Sequence, residues 1–214
     1  GLVGSEMCIR DRADMPLVTE SVVRPADQMG DGHIEDIYNN AREALYAAHI
    51  NAQGGDGNYI IRAMVPYDIG EDGGTNDGPA NDGNIWAETI TTSGTAGFQN
   101  SKIASQTVPD NTSVCIYGLV DTSDGGQNVS QIRITSGQGV RAIWDLFPII
   151  GSDPSVSGSV RCRTMYAMTP IIITRNMNVL VEYYIRPSNP SVTRGVEIAL
   201  IGLTCEGSGG YIQP

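Results

Sequence analysis

The chain has 214 residues, 40% hydrophobic and only 17% charged, with 26 glycines and 11 prolines. That is length for one large domain with a sizeable core, in a turn-rich composition. Thirteen basic against 24 acidic side chains leave a net charge of −11, which opposes a sequence-independent hold on a phosphate backbone, so no direct nucleic-acid binding is expected. No run approaches the roughly 18 apolar residues that span a bilayer; the densest aliphatic cluster is Ile171-Ile172-Ile173, with Arg175 close behind.

Residues 1–12, GLVGSEMCIRDR, resemble a sequencing-library adapter translated in one reading frame, and are set aside as non-native. The natural chain is then expected to begin near Ala13 with its true start missing, which leaves targeting open. Glu6 and Asp11 cancel Arg10 and Arg12, so the net charge of −11 belongs to the remainder. Beyond Cys8 the cysteines are Cys115, Cys162 and Cys205, an odd number with no Cys-x-x-Cys spacing. Neither a disulfide framework nor a zinc site is signalled.

Residues 13–55 read as an arm and a helix, and residues 56–214 as a β-sandwich. In the arm, Val18, Val22 and Val23 lie between prolines with no strong pattern. From Asp31 to Gln53 the apolar positions Ile34, Ile37, Tyr38, Ala41, Leu45 and Ala48 keep the three-and-four spacing of an amphipathic helix. Asp31 is placed to cap its start, Glu35 and Asp36 suit the positive end of the helix dipole, and Gly54-Gly55 stops it.

After Gly55, β-branched and aromatic residues come in short runs punctuated by Gly, Asn, Asp and Ser, the pattern of an all-β domain. Strands are expected at Tyr59–Tyr67, Ile85–Thr92, Lys102–Thr107, Ser113–Val120, Val129–Thr135, Val140–Phe147, Val160–Met168, Ile171–Ile185 with a break at the Asn176–Asn178 turn, and Val196–Cys205. Val114 and Ile116 alternate with Cys115 and Tyr117, and Ile132 and Ile134 flank Arg133, so one face of such strands is expected to be buried and the other wet. No helical crossover separates the runs, which favours antiparallel pairing in two layers. Eight or nine strands in this length suit a jelly roll, two sheets packed face to face, preceded by one N-terminal amphipathic helix. An immunoglobulin-like sandwich is the competitor, though about 100 residues is its usual size.

The sharpest local feature is the acidic loop between Asp68 and Asn84. Asp68, Glu71, Asp72, Asp77 and Asp82 crowd carboxylates onto a flexible backbone, as calcium requires, although the spacing is not that of an EF-hand; a solvated connection explains the same composition. His33 and His49 are sixteen residues apart and cannot be neighbouring ligands on one helical face. His49 is expected to titrate at the helix surface near its C-terminal end. No Gly-x-Ser-x-Gly elbow accompanies either histidine. Ser136-Gly137-Gln138-Gly139 joins two strands and reads as a hairpin turn. Trp86, Trp144, Tyr183 and Tyr184 offer platforms for sugar rings, but with aromatic residues at 6% the core has first claim on them. Asn111 and Asn128 begin glycosylation triplets that chance explains, and Lys102 is the only lysine among 13 basic residues.

An arm, a helix and then strands closing near Cys205 form a layout that resembles single jelly-roll virion proteins. The runs that carry the likeness are Thr169–Ile185 and Val196–Thr204, and it is a likeness of architecture across Ala13 to Pro214. It implies a self-assembling capsid or virion shell subunit, a homo-oligomer or larger assembly, non-enzymatic, and found in a virion or outside the cell. The alternative is a secreted glycan- or cell-surface-binding jelly-roll module that uses the acidic loop for calcium. A cupin-type enzyme would need a cluster of histidines in its barrel, and the chain has two.

Overall fold

A computed structural model describes residues 23–26, 29–53, 58–69, 87–91, 97–100, 106–121, 129–137, 139–146, 164–185 and 193–207. A short strand β1 (Val23–Pro25) leads into helix α1 (Asp31–Gln53), over the span the periodicity predicts. The Ile34 N–H donates to the Gly30 carbonyl at 3.4 Å, so Gly30 holds the cap position and Asp31 is the first helical residue. The buried stripe is Ile37, Ala41, Leu45 and His49, a row at four-residue intervals. Tyr38, expected within that stripe, is 41% exposed on its flank.

The strands that follow are β2 (Tyr59–Ala63), β3 (Ala87–Thr91), β4 (Gly97–Asn100), β5 (Gln106–Thr107), β6 (Thr112–Asp121), β7 (Val129–Ser136), β8 (Gly139–Asp145), β9 (Thr164–Ile173), β10 (Asn178–Ile185) and β11 (Thr193–Gly207). The predicted first strand therefore ends early, giving way to a 3-10 turn at Pro66–Ile69. The gap expected at Met168–Ile171 is absent, because β9 runs through Pro170. Its register against β6 slips there, from Tyr166 opposite Gly118 to Ile171 opposite Ile116, the kind of irregularity that accommodates a residue without an N–H.

Two antiparallel sheets result. The first is ordered β1-β9-β6-β11-β2, with β3 also on β11; the second is ordered β4-β10-β7-β8, with β5 also on β10. The pairings are nested along the chain: β2 and β3 with β11, β4 and β5 with β10, β6 with β9, and β7 with β8. Between the sheets lies the main core, in which Ile116, Leu119, Ile132, Ile134, Trp144, Met165, Ile173 and Ile198 are all but fully buried. Each such side chain contributes roughly 1.5–3 kcal/mol by leaving water.

A second, smaller core lies on the other side of the first sheet. There Ile37, Ala41 and Leu45 of α1 pack on Cys115, Tyr117, Leu203 and Cys205. The first sheet is thus buried on both faces, which is why β6 is buried from Thr112 to Leu119 rather than alternating wet and dry as the sequence reading expected. At its centre, β6 and β11 shift register at Gly118 and Gly202. A Cβ on Gly202 would come within 2.5 Å of the Cys115 carbonyl, and one on Gly118 within 2.6 Å of the Met165 carbonyl. Both positions need glycine because backbone approaches too closely for any side chain.

Candidate functional site

The acidic loop begins at a residue that the fold has already engaged. Asp68 is 3% exposed; its Oδ1 accepts from Arg62 Nη2 at 2.6 Å, and its Oδ2 accepts from Arg62 Nη1 at 2.7 Å, the Val65 N–H at 2.8 Å and the Thr204 hydroxyl at 2.8 Å. Arg62 also donates from Nε to Glu206 at 3.0 Å. These bonds raise the guanidinium pKa, the bond to Asp68 most of all. The bidentate fork pins the 3-10 turn to β2 and β11. A cation at Asp68 would have to displace Arg62. Glu71, Asp72, Asp77 and Asp82 lie outside the described residues, as do Trp86, Lys102, Asn128 and Cys162. Among the described residues no three His, Cys, Asp or Glu side chains converge as a metal site.

The other singled-out residues have distinct placements. His33 is exposed on the first turn of α1. His49 is not at the surface as expected: it continues the buried stripe and is 0% exposed. Its Nδ1 lies 2.9 Å from Ser113 Oγ of β6, the Tyr59 ring stands edge-on at 4.7 Å, and burial, with help from the charge of Arg175, lowers its pKa below 6.5. Trp144 and Tyr183 are core residues, 0% and 3% exposed, so neither is a platform for sugar. Tyr184 is half-buried on the outer face of the second sheet, against Phe98. Cys115 and Cys205 are buried free thiols, pushed up by burial to about 12 and about 11. Asn111 sits in the turn before β6 with φ of 62°, and Ser136 and Gly139 flank the β7–β8 hairpin turn as predicted.

Among the described residues two surfaces stand out. One is a groove along the flank of α1. Tyr38, Arg42 and Tyr46 stand at four-residue intervals, and with Glu43 and with Tyr59 of β2 they border a hollow of about 480 Å³. Tyr38 also borders a second hollow, of about 370 Å³, floored by Tyr117 and Tyr166, whose rings stack at 6.4 Å. The i, i+4, i+8 spacing of Tyr38, Arg42 and Tyr46 is present in the sequence, but apolar periodicity assigns Tyr38 to the core and is silent on the other two.

The second surface is the outer face of the second sheet. Glu182 of β10 lies opposite Arg133 of β7, and Arg133 opposite Ile143 of β8. Arg133 Nε and Nη2 each donate to Glu182 at 2.6 Å, and the guanidinium covers the Phe98 ring at 4.1 Å. Val140 and Ile143 are 52% and 51% exposed on this strand edge and face. Aromatic rings, paired charges and exposed aliphatics are the materials of a contact surface. No family model, curated protein or solved structure matches the chain.

Proposed function

We propose that this chain is a jelly-roll shell subunit, a structural protein that acts by assembling with copies of itself through its edges and faces. The observation that supports the reading is the nesting of strand pairs. A jelly roll forms when a long antiparallel hairpin of four successive pairs is wrapped so that alternate pairs fall in opposite sheets. Here the outermost pair (β2 and β3 with β11) and the third (β6 with β9) share the first sheet, while the second (β4 and β5 with β10) and the fourth (β7 with β8) share the other.

Fold alone does not carry function, so the step to a shell rests on surfaces. The helix is held against one sheet with its tyrosine flank outward, and the opposite sheet leaves aliphatic side chains in water, which suits a protein completed by its neighbours. The glycan- and calcium-binding alternative has less support: Trp144 is in the core and Asp68 is held by Arg62.

The test is light scattering and negative-stain electron microscopy of the chain from Ala13 onward at micromolar concentration, with and without millimolar calcium. Closed particles or a discrete large oligomer are expected. A monodisperse monomer at every concentration would overturn the proposal, and a monomer stabilised by calcium would transfer it to the binding module.

A further inference from the structure

His49 is fully buried, yet only half satisfied. Nδ1 bonds to Ser113 Oγ, while Nε2 has no hydrogen-bond partner among the described residues. The ring is clamped between α1 and the first sheet, in the row Ile37, Ala41, Leu45, His49 that fastens the helix. Among the described residues, the side chains that face it from the neighbouring elements offer an imidazolium no carboxylate, which leaves the C-terminal end of the α1 dipole as its one favourable influence. β6 presents the Ser113 hydroxyl, and β2 presents the Tyr59 ring edge-on. The turn after β9 brings Arg175, which donates to Gln53 Oε1 at 2.8 Å one helical turn beyond His49 and pairs loosely, at 3.7 Å, with the exposed carboxylate of Asp110. Cys205 of β11 is a buried thiol in the core that Ile37, Ala41 and Leu45 form beneath the helix. Glu206, the next residue, is engaged by Arg62, and no carboxylate pairs with His49 among the described residues.

We propose that His49 makes the seat of α1 an acid-sensitive latch: neutral, it holds the helix firmly on the sheet, and protonated, it loosens that hold. The physical reason is the cost of a charge without a partner in an apolar interface. A proton on His49 would sit beside a cation, with its only hydrogen bond to a hydroxyl. Release exposes Ile37, Leu45, Tyr117 and Leu203 together, turning the covered face of the first sheet into an adhesive one.

The direction of the pH dependence follows from the lowered pKa. The docked state binds fewer protons than the released one, so docking is at full strength above 6.5. Below that value it weakens by up to about tenfold per pH unit, until the pH passes the docked-state pKa.

The chain has only two histidines, so imidazole resonances in an NMR titration of the intact protein separate His49 from exposed His33, with His33→Gln making the assignment. Amide exchange, corrected for its intrinsic pH dependence, is read in parallel. Between pH 7.5 and 5, protection of α1 is expected to fall relative to β7 and β10, in step with protonation of His49 and by no more than about tenfold per pH unit. His49→Gln keeps a group able to bond Ser113 but cannot titrate, and is expected to abolish that loss. An imidazolium signal from His49 while α1 stays protected would overturn the latch, as would the same acid loss in His49→Gln. Should that variant fail to fold, the titration of the unaltered protein decides alone.

Discussion

On the first sheet the outer face is roofed by α1, and the central strand β6 is dry on both sides; on the second sheet the matching face meets solvent, and β8 alternates between buried and exposed from Arg141 to Asp145. The inner faces of the two sheets contribute to one common core, with Trp144 among its largest members. The outer faces are stabilised by different forces. Under α1 the contacts are Leu, Ala, Cys and Tyr packing, which is non-directional and strong because water is excluded. On the open face the bidentate Arg133–Glu182 pair, with Glu182 only 8% exposed, and the Phe98 ring beneath the guanidinium do the holding, contacts that are directional and depend on geometry. The molecule therefore has a protected side and a presentable one.

That contrast can be broken by truncation, beginning at the centre. Trp144→Ala is expected to cost about 3–5 kcal/mol in urea unfolding, since it empties the volume of the largest buried side chain in the shared core. Leu45→Ala on α1 is expected to cost about 2–5 kcal/mol, because Leu45 is 0% exposed in the helix–sheet core; a value under 1 kcal/mol would mean that the helix is not part of the cooperative unit. Asp68→Asn comes next, at about 2 kcal/mol: it removes a buried carboxylate from Arg62, but the Arg62 side chain is 26% exposed and retains Glu206. Ile143→Ala, a comparable removal on the open face, is expected to stay within about 0.5 kcal/mol in an isolated subunit. A large loss there at dilutions where the protein is monomeric would erase the distinction between the two outer faces.

Much of this architecture was legible in the sequence, and the failures have physical causes. The helix could be read because its apolar spacing, acidic first turn and terminal glycines all agree. The late strands could be read because Ile171–Ile173 and the run after Asn178 are dense in β-branched residues bounded by turn signals. Which strands pair could not, since nested pairing joins residues such as Ile61 and Cys205, and local pattern says nothing about such distances. The same blindness produced the error at His49: a polar residue near a helix end reads as exposed until Ser113, 64 positions away, supplies its partner. In β6, alternation predicted a wet face that α1 in fact covers. Asp68 reads as a loop carboxylate by composition, and only the return of β11 beside β2 brings Thr204 and Glu206 to it and Arg62. The tyrosine groove had a local signal, the four-residue spacing from Tyr38 to Tyr46, yet its other wall comes from β2.

The proposed function requires that the molecule be completed by copies of itself. It is tested most directly by the sedimentation-velocity mass of the chain from Ala13 onward across a hundredfold concentration range. The account predicts a discrete species many times the 22.8 kDa of the full chain, or closed particles, at the upper concentrations. A single species at the monomer mass throughout would contradict it.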